Sequence, residues 1–343
     1  MNRGPRVTVA GAGVLGWTTA LSLADAGCAV TICDPGGPNA SSVAAGMIAP
    51  VFEAVLDEMA RGQLDLLMAA RDLWPGLAGR AGVALDRTGA MAVGGDDWLE
   101  AVAAGFGGLQ MRPTEIGAAT AQGLAPGLAE GFERALLTRE DWRVDAPAAL
   151  SALAQAAKAA GVTYEARSVK GRGDEDVLVV ATGAFQGLVD AAPELSKLSP
   201  IKGHIVRVAA EGRGAVMRGE GVYAVPGSDT AFGATMEAGV SDPAVEGEKA
   251  APLLAGGLRL FPGLRDAPVQ IAAGVRAATP DGLPLVGWSE AEPGAVLAAG
   301  ARRNGWLLAP LVAGIVTACV TGREPGPYAG RMDPARFRAS LWD

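Results

Sequence analysis

One segment near the N-terminus, residues 6–34, restricts the possible fold more than any other part of the chain. It contains, in order, an apolar run (Arg6–Ala10), three glycines spaced as G-x-G-x-x-G, a helical pattern over residues 17–26, and a second apolar run (Ala29–Cys33) that ends in Asp34. This order predicts a strand, a tight turn, a helix and a parallel strand, the unit that binds dinucleotides in α/β proteins. We therefore predict an α/β fold.

Each glycine of this motif has its own physical task. Gly11 permits the tight turn, Gly13 lets the backbone approach a pyrophosphate, and Gly16 lets the helix pack closely on the strand. The helix N-terminus offers free N–H groups and the positive end of the helix dipole to the phosphates. Asp34 is placed to accept hydrogen bonds from ribose hydroxyls. The motif indicates dinucleotide binding without separating FAD from NAD, and a glycine-rich turn with no ligand is the alternative.

Length and charge narrow the possible partners. The chain has 343 residues, which is long for a single core and predicts two domains. A net charge of -8, few aromatic residues and no basic cluster argue against a nucleic-acid partner. Because the sequence has no Lys/Arg-rich amphipathic face and no uninterrupted apolar run of about 18 residues, we predict no membrane association.

The cysteines and the single histidine restrict the chemistry and the compartment. Cys28, Cys33 and Cys319 are odd in number and lack metal-binding or C-x-x-C spacing, so we expect reduced thiols. The first residues show no secretory leader, and together these features predict a cytoplasmic protein. His204 is the only histidine, which excludes a multi-histidine metal centre, and we predict no metal site. Its alternation with apolar residues indicates a structural role in a strand.

The remaining patterns predict a discontinuous architecture. Strand and helix units of the nucleotide-binding type occur at the start, middle and end of the chain, and strand-rich segments lie between them. We predict one Rossmann-like domain from residues 1-80, 140-196 and 276-343, and a mostly antiparallel α+β domain from residues 81-139 and 197-275. Local patterns also predict a long surface helix over residues 52–74, with Asp57 and Glu58 solvated, and a helix over residues 114–124.

Further motifs, spread over nearly the whole chain, resemble those of one enzyme family. They are residues 41–47 (SSVAAGM), 176–183 (DVLVVATG), 199–203 (SPIKG), 223–226 (YAVP), 233–236 (GATM), 274–276 (GVR) with 279–284 (TPDGLP), and 303–305 (RNG) with 307–310 (LLAP). In this order they resemble the flavin-dependent D-amino acid oxidase family and, within it, the glycine oxidases. Most of these motifs are weak singly, but the last two are specific, and the set is strong.

The resemblance implies a fold, a cofactor and a reaction. It implies a discontinuous Rossmann-like FAD-binding domain, a substrate-binding domain, and non-covalent FAD. It also implies oxidation of glycine or a related small amino acid or amine to the imine, hydrolysis to a 2-oxo acid and ammonia, and reduction of molecular oxygen to hydrogen peroxide. In glycine oxidases this reaction can supply thiamine thiazole synthesis. Such enzymes are often homo-oligomers, although no segment here marks an interface.

Two other interpretations stay open from the sequence. One is a flavin dehydrogenase of the same fold that passes electrons to an acceptor other than oxygen. The other is a protein that only senses a dinucleotide. Oxygen consumption would separate the oxidase from the dehydrogenase. A purified protein without bound flavin would favour the dinucleotide sensor.

The motif and the resemblance together assign residues to two sites. The FAD site would comprise Gly11, Gly13, Val14, Leu15, Gly16, Asp34, Ser41, Ser42, Ala45, Gly46, Met47, Val169, Gly183, Arg302, Asn304, Gly305, Trp306 and Leu307. The substrate site would comprise Tyr223, Met236, Arg276 and Arg303. Hydride transfer to flavin needs orientation more than a protein base. A planar arginine can hold a substrate carboxylate with two hydrogen bonds, and Arg276 is the first candidate.

The sequence also departs from the resembled family near the flavin. Ala301 and Arg302 stand where family members usually have a histidine and an aromatic residue, and Trp306 replaces a smaller aliphatic residue. These differences predict an altered entrance and shape of the substrate pocket. Glycine is therefore one candidate among several small amino acids and amines.

Overall fold

The computed structural model describes residues 4–338. Its strands are β1 (Arg6–Ala10), β2 (Ala29–Cys33), β3 (Met47–Ile48), β4 (Ala90–Ala92), β5 (Thr114–Gly117), β6 (Arg134–Thr138), β7 (Trp142–Arg143), β8 (Thr163–Glu165), β9 (Val177–Val180), β10 (Ser199–Val208), β11 (Val216–Gly219), β12 (Val222–Val225), β13 (Thr230–Gly233), β14 (Glu237–Ala238), β15 (Val269–Ala278), β16 (Leu285–Trp288) and β17 (Ala295–Ala299). Its α-helices are α1 (Val14–Asp25), α2 (Ala40–Val43), α3 (Pro50–Leu56), α4 (Glu58–Arg61), α5 (Leu64–Asp72), α6 (Trp74–Ala81), α7 (Asp96–Gly108), α8 (Ala118–Leu124), α9 (Ala146–Ala159), α10 (Gly247–Leu260), α11 (Gly305–Thr321) and α12 (Ala329–Met332).

The first sheet is the nucleotide-binding type that the N-terminal motif predicts. Its strand order is β16-β17-β9-β1-β2-β8, and every neighbouring pair is parallel except β16 with β17. The central strands β9 and β17 are short and wholly apolar, as buried parallel strands are, whereas the edge strand β8 is polar and largely exposed. Helices α1 and α11 pack against each other and bury aliphatic side chains in the core beside this sheet. Within residues 4–338, no helix has both the length and the apolar character needed to cross a bilayer.

The second sheet is mostly antiparallel and larger. Its strand order is β14-β10-β13-β12-β11-β4-β6-β5, with β15 pairing along the whole length of β10. Helices α8 and α10 belong to the core on one face, and α3 and α7 to the core on the other. Strand β15 reaches the loop that follows β17 of the first sheet through a bridge between Ala278 and Ala301. That bridge brings Arg276 close to the loop before α11.

This arrangement confirms the predicted fold class, an α/β fold with a Rossmann-like sheet combined with a mostly antiparallel α+β part. Every strand of the first sheet comes from residues 1-80, 140-196 or 276-343, and β4–β6 and β10–β14 come from the other two segments. Only β15 runs from one set of segments into the other, since it ends at Ala278. The two-domain division itself remains our proposal.

Two predicted helices are only partly correct. Residues 52–74 do not form one helix, because the backbone is extended at Asp57, whose side chain accepts a hydrogen bond from the Met59 N–H and starts α4. Pro75 lies in the first turn of α6, a position that tolerates proline. The helix predicted over residues 114–124 is correct for residues 118–124, which form α8, but residues 114–117 form an edge strand, since they pair with β6. Tertiary pairing here overrides local propensity.

A buried methionine and the single histidine complete the description of the fold. Met332, in the Pro/Gly-rich segment from residue 323 onward, is fully buried, and residues 339–343 lie outside the described part. His204 is structural, as predicted. Its ring is buried, Nε2 accepts from the Glu246 N–H, and Nδ1 lies 3.1 Å from Glu237. His204 therefore braces the second sheet and does not line the cavity described below.

Candidate active site

The glycine-rich turn is shaped by the fold at two of its three glycines. Gly11 has a φ of 109°, and a Cβ at Gly11 would overlap the Ala181 carbonyl oxygen. A Cβ at Gly16 would overlap the Gly11 carbonyl oxygen. These glycines are needed for strand and helix to pack, whether or not a ligand is bound.

Gly13 differs because the fold leaves space beside it. A Cβ there would meet only the Ser41 hydroxyl, at 3.1 Å. The N-cap residue of α1 is Gly13, which has no side chain to cap the helix, and the first turn holds no acid. The Val14 N–H donates to Ser41 Oγ at 2.9 Å, whereas the N–H groups of Leu15 and Gly16 find no acceptor among the described residues. Free donors at a helix N-terminus beside a glycine surface suit a phosphate group.

Asp34 is held in place at the end of β2. Its Oδ2 accepts from the Ala12 N–H at 2.7 Å, and its Oδ1 accepts from the Gly36 N–H at 2.7 Å. Each oxygen keeps a further lone pair for a hydroxyl group. Val169 packs beside Cys33, and Gly183 follows β9 with a φ of 62°. These positions surround the carboxyl ends of the parallel strands, where nucleotides bind in such sheets.

The segment over residues 39–47 forms one wall of the cavity described below. Ser42 forms a capping box with Asn39, so its hydroxyl serves the local turn. A Cβ at Gly46 would overlap the Val144 carbonyl oxygen, and Gly46 has a φ of 80°. Arg207 donates to the carbonyl groups of Val43 and Ala44, and sequence reasoning missed this anchor.

Trp306 ties this wall to the start of α11. Its indole Nε1 donates to the Ser41 carbonyl oxygen at 3.1 Å, and its own carbonyl accepts from Trp74 Nε1 at 2.9 Å. Gly305 lies beside Val14, so the N-termini of α1 and α11 approach each other. The Leu307 side chain is fully buried in the core, which leaves only its backbone free to approach a cofactor.

A cavity of about 270 Å³ lies between this wall and the second sheet. Among its lining residues are Ala45, Gly46, Met47, Glu53, Trp98, Arg218, Tyr223, Met236, Arg276, Arg303, Asn304 and Trp306. The four side chains predicted for the substrate site are therefore brought together. Arg302 is not among the lining residues. It borders a separate small pocket with Met59 and Gly282, and its side chain pairs with Asp57.

Glycines on the sheet make room for the two main candidates. Tyr223 pairs across the sheet with Gly233, and a Cβ there would overlap the tyrosine ring. Gly203 pairs with Gly274, two residues before Arg276, and a Cβ at Gly203 would overlap the guanidinium. Both side chains therefore lie flat over glycines on one face of the sheet, with their polar ends in the cavity.

Arg276 has no carboxylate partner within residues 4–338. Its Nη1 donates to the Thr235 carbonyl at 3.3 Å and approaches Met236 Sδ at 3.4 Å. Burial lowers the pKa of this guanidinium, which is surrounded by protein except at the cavity. Burial also raises the pKa of the Tyr223 phenol, so the hydroxyl stays a hydrogen-bond donor. A cation and a hydroxyl donor that share one cavity can bind a carboxylate.

Sequence reasoning missed the acids that hold Arg303. Its Nη2 donates to Glu53 Oε1 at 2.9 Å, and its Nη1 lies 3.5 Å from Asp57. The negative charge of Glu53 is the largest of the causes that raise the pKa of Arg303. Asp57 was predicted to be solvated, but only 7% of its surface is exposed, because Arg302 and Arg303 surround it. Glu58, its predicted companion, is exposed.

Asp141 anchors the helix that carries Glu53. Its two carboxylate oxygens accept from the N–H groups of Val51 and Phe52 at 2.8 and 3.0 Å, at the start of α3. The group is fully buried, and desolvation raises its pKa to about 6. The folded state therefore keeps a proton on Asp141 that the unfolded state has already lost between about pH 4 and pH 6.

This difference predicts a pH-dependent stability. The desolvation penalty of Asp141 is absent below about pH 4 and complete above about pH 6, where it reaches about 3 kcal/mol. The stability advantage of the wild type over Asp141→Asn should shrink by this amount as the pH rises from about 4 to about 7.5. Denaturant unfolding of both proteins with saturating FAD would measure it. A difference that does not change with pH would contradict the assignment.

Comparison with known proteins identifies the family. The sequence model of the DAO family, which is described as FAD dependent oxidoreductase, matches residues 6–319 of this chain. The chain belongs to this family. It is 31% identical to glycine oxidase of Pseudomonas aeruginosa, over 95% of this chain and 99% of that protein. It is 29% identical to the bifunctional protein ThiO/ThiG of Trichormus variabilis, over 97% of this chain and 55% of that longer protein.

A solved structure agrees with this assignment. The crystal structure of glycine oxidase from Geobacillus kaustophilus superposes with a TM-score of 0.81 at 26% identity, covering 98% of this chain and all of that one. The protein is therefore an FAD-dependent oxidoreductase, and FAD is its cofactor. The open surface at Gly13 and the free N–H groups of Leu15 and Gly16 fit a pyrophosphate.

Proposed function

We propose that this DAO-family enzyme oxidises a small α-amino acid or amine to its imine, with molecular oxygen reduced to hydrogen peroxide. Water would then hydrolyse the imine to a 2-oxo acid and ammonia, or to an aldehyde where the substrate lacks an α-carboxylate. FAD supplies the acceptor for the hydride of the α-carbon when it is bound. The residues of this chain bind the substrate, orient it and exclude water.

The observation that carries the proposal is the charge of Arg276. Arg302 and Arg303 are neutralised by Asp57 and Glu53, whereas Arg276 faces the same cavity as Glu53 without a carboxylate partner of its own. Desolvating an unpaired cation is unfavourable unless a ligand completes it. A substrate carboxylate held by Arg276, with a hydrogen bond from Tyr223, would supply the missing charge.

The other predicted residues have supporting tasks in this proposal. The α1 N-terminus with Gly13 and Ser41 would bind the pyrophosphate, and Asp34 the ribose. Residues 45–47 and the start of α11, from Asn304 to Trp306, would contact the rest of FAD. The free N–H groups at the start of α11 would favour negative charge on the reduced cofactor. Met236 would form the cavity wall next to Arg276.

Glycine is the first substrate to test, because a relative that matches along its whole length is named glycine oxidase. By the same similarity, we propose oxygen as the electron acceptor and a contribution to thiamine thiazole synthesis. The free thiols of Cys28, Cys33 and Cys319 support a reducing, cytoplasmic compartment.

The test uses the purified flavoprotein without oxygen. It is mixed with glycine, sarcosine, D-alanine or a small amine, and the loss of the visible absorbance of oxidised flavin is followed. We expect bleaching by at least one of these compounds, and recovery with peroxide formation when air is admitted. Bleaching that air does not reverse would favour a dehydrogenase with another acceptor. No bleaching by any amino acid or amine would reject the proposal.

A further inference from the structure

A second buried arginine in the cavity, Arg218, lies over the rings of Phe52 and Tyr223 but has few hydrogen-bond partners. Arg218 lies on β11, and only 3% of its surface is exposed. Among the described residues its guanidinium finds one acceptor, Glu53 Oε1, at 3.5 Å, which is the limit of a hydrogen bond. Its Nε is buried and has no partner. Most of its five N–H donors therefore remain unused.

Another buried arginine of this protein has several close hydrogen-bond partners. Arg71 is about as buried as Arg218, yet it donates to the Glu140 carboxylate at 2.6 Å, to the Glu140 carbonyl and to Asp72. Glu53 serves Arg218 less well, because its Oε1 lies closer to Arg303, at 2.9 Å, and its buried Oε2 accepts no hydrogen bond from the described residues. Asp141, whose pKa is influenced by the charge of Arg218, already accepts two backbone hydrogen bonds.

A second unpartnered donor lines the same cavity. The indole Nε1 of Trp98, on α7, is buried and has no acceptor. Trp98 and Arg218 come from different elements, so one local distortion cannot explain both. Buried donors in native proteins nearly always have partners. Both residues line one cavity but these two atoms are closed off from it, so a small turn of either side chain would let a ligand in the cavity supply the acceptor.

These donors are separate from the site for the α-carboxylate. Arg218, Tyr223, Gly233 and Ile205 form one row across the sheet. The Arg218 guanidinium lies 5.8 Å from the Tyr223 ring, and in this row Arg218 and Gly233 flank Tyr223 on opposite strands. A ligand whose first carboxylate is held by Arg276 must therefore extend past Tyr223 to reach Arg218.

We propose that Arg218 and Trp98 form a second anion subsite, so that the substrate is an amino acid or amine with two carboxylates. This inference rests on the proposed function. Three arginines line the cavity against the single acid Glu53, so one substrate carboxylate leaves the donors of Arg218 unused. A second carboxylate would accept from both the guanidinium and the indole.

The test compares compounds that differ only in the second charge. The pairs are iminodiacetate with sarcosine, and aspartate with asparagine, each amino acid as both enantiomers. We expect kcat/KM to be at least about 10-fold higher for the charged member of at least one pair. Equal values within both pairs, or a preference for the neutral member, would overturn the proposal.

Variants separate a subsite from a structural role. Arg218→Met should lower kcat/KM for the dicarboxylate by about 30- to 100-fold and for the monocarboxylate by less than about 3-fold, and Arg218→Lys should recover part of the loss. An equal loss for both substrates would mean that Arg218 only positions Glu53 and Arg303. If Arg218→Met does not fold, Trp98→Phe removes one donor and should reduce only the dicarboxylate activity.

A binding measurement makes the inference testable apart from turnover. Succinate cannot be deaminated, and succinamate has the same shape with one carboxylate fewer. Calorimetry on the FAD-bound protein should give at least about 10-fold tighter binding of succinate, and Arg218→Met should remove this difference. Equal affinities would reject the subsite even if amino acid oxidation is found. A preference for succinate without any oxidation would reject the proposed function alone.

Discussion

Replacing Arg276 with methionine is expected to lower kcat/KM for amino acid substrates by about 100- to 1,000-fold while FAD stays bound. Losing one partner of a buried, hydrogen-bonded charge pair typically costs about 3–4 kcal/mol, which corresponds to this range. The loss of kcat/KM should appear mainly as a higher KM, because the guanidinium would bind the carboxylate in the ground state and the transition state alike. Steady-state kinetics with the best substrate measures it.

The same substitution should leave Tm unchanged or raise it. Arg276 makes only one carbonyl hydrogen bond and one sulfur contact, and burial lowers its pKa, so its charge opposes folding. Arg71→Met is the matched control, since Arg71 is a buried but well-paired arginine outside the cavity. It should lower Tm and leave kcat/KM unchanged. An Arg276→Met enzyme with normal KM, or with the stability loss of Arg71→Met, would remove Arg276 from the substrate site.

The parts of this protein that the sequence predicts are those with local causes. The β1-α1-β2 unit and the roles of Gly11 and Gly16 follow from patterns within about 30 residues, and the structure reproduces them. Arg276 and Tyr223 were found through motifs with a known order. Their convergence depends on glycines at positions 203 and 233, which are ordinary strand residues until the sheet pairing is known.

The missed residues depend on contacts between distant segments. Glu53 meets Arg218 across 165 positions and Arg303 across 250. Nothing near Glu53 distinguishes it from a solvated helix acid, and the same is true of Asp57. The pairing of Asp57 with Arg302 and Arg303 also accompanies the break in the predicted long helix. Charge pairs between distant segments therefore accompany two failures of the sequence prediction. One is the single long helix predicted over residues 52–74, and the other is the omission of Glu53 and Asp57 from the site.

The second large effect is expected at Gly13. Gly13→Ala should weaken FAD binding by about 100-fold while the protein still folds. The added methyl group would occupy the surface next to the free N–H groups of Leu15 and Gly16, where a phosphate must approach. Weakening two hydrogen bonds to a charged group costs about 3 kcal/mol, hence the expected change in Kd. The fold itself tolerates the methyl group, since its nearest neighbour is the Ser41 hydroxyl at 3.1 Å.

Two further variants test whether obstruction of the phosphate causes the weaker FAD binding of Gly13→Ala. In Gly13→Ala with Ser41→Ala, the crowding at Ser41 is removed, so FAD binding should remain weak if the methyl group obstructs the phosphate directly. Recovery of FAD affinity in the double variant would assign the loss to a displaced Ser41 instead. Gly16→Ala should behave differently, because its methyl group would overlap the Gly11 carbonyl oxygen and destabilise the apoprotein as well. Flavin titration together with apoprotein melting distinguishes a glycine that serves the cofactor from one that serves the fold.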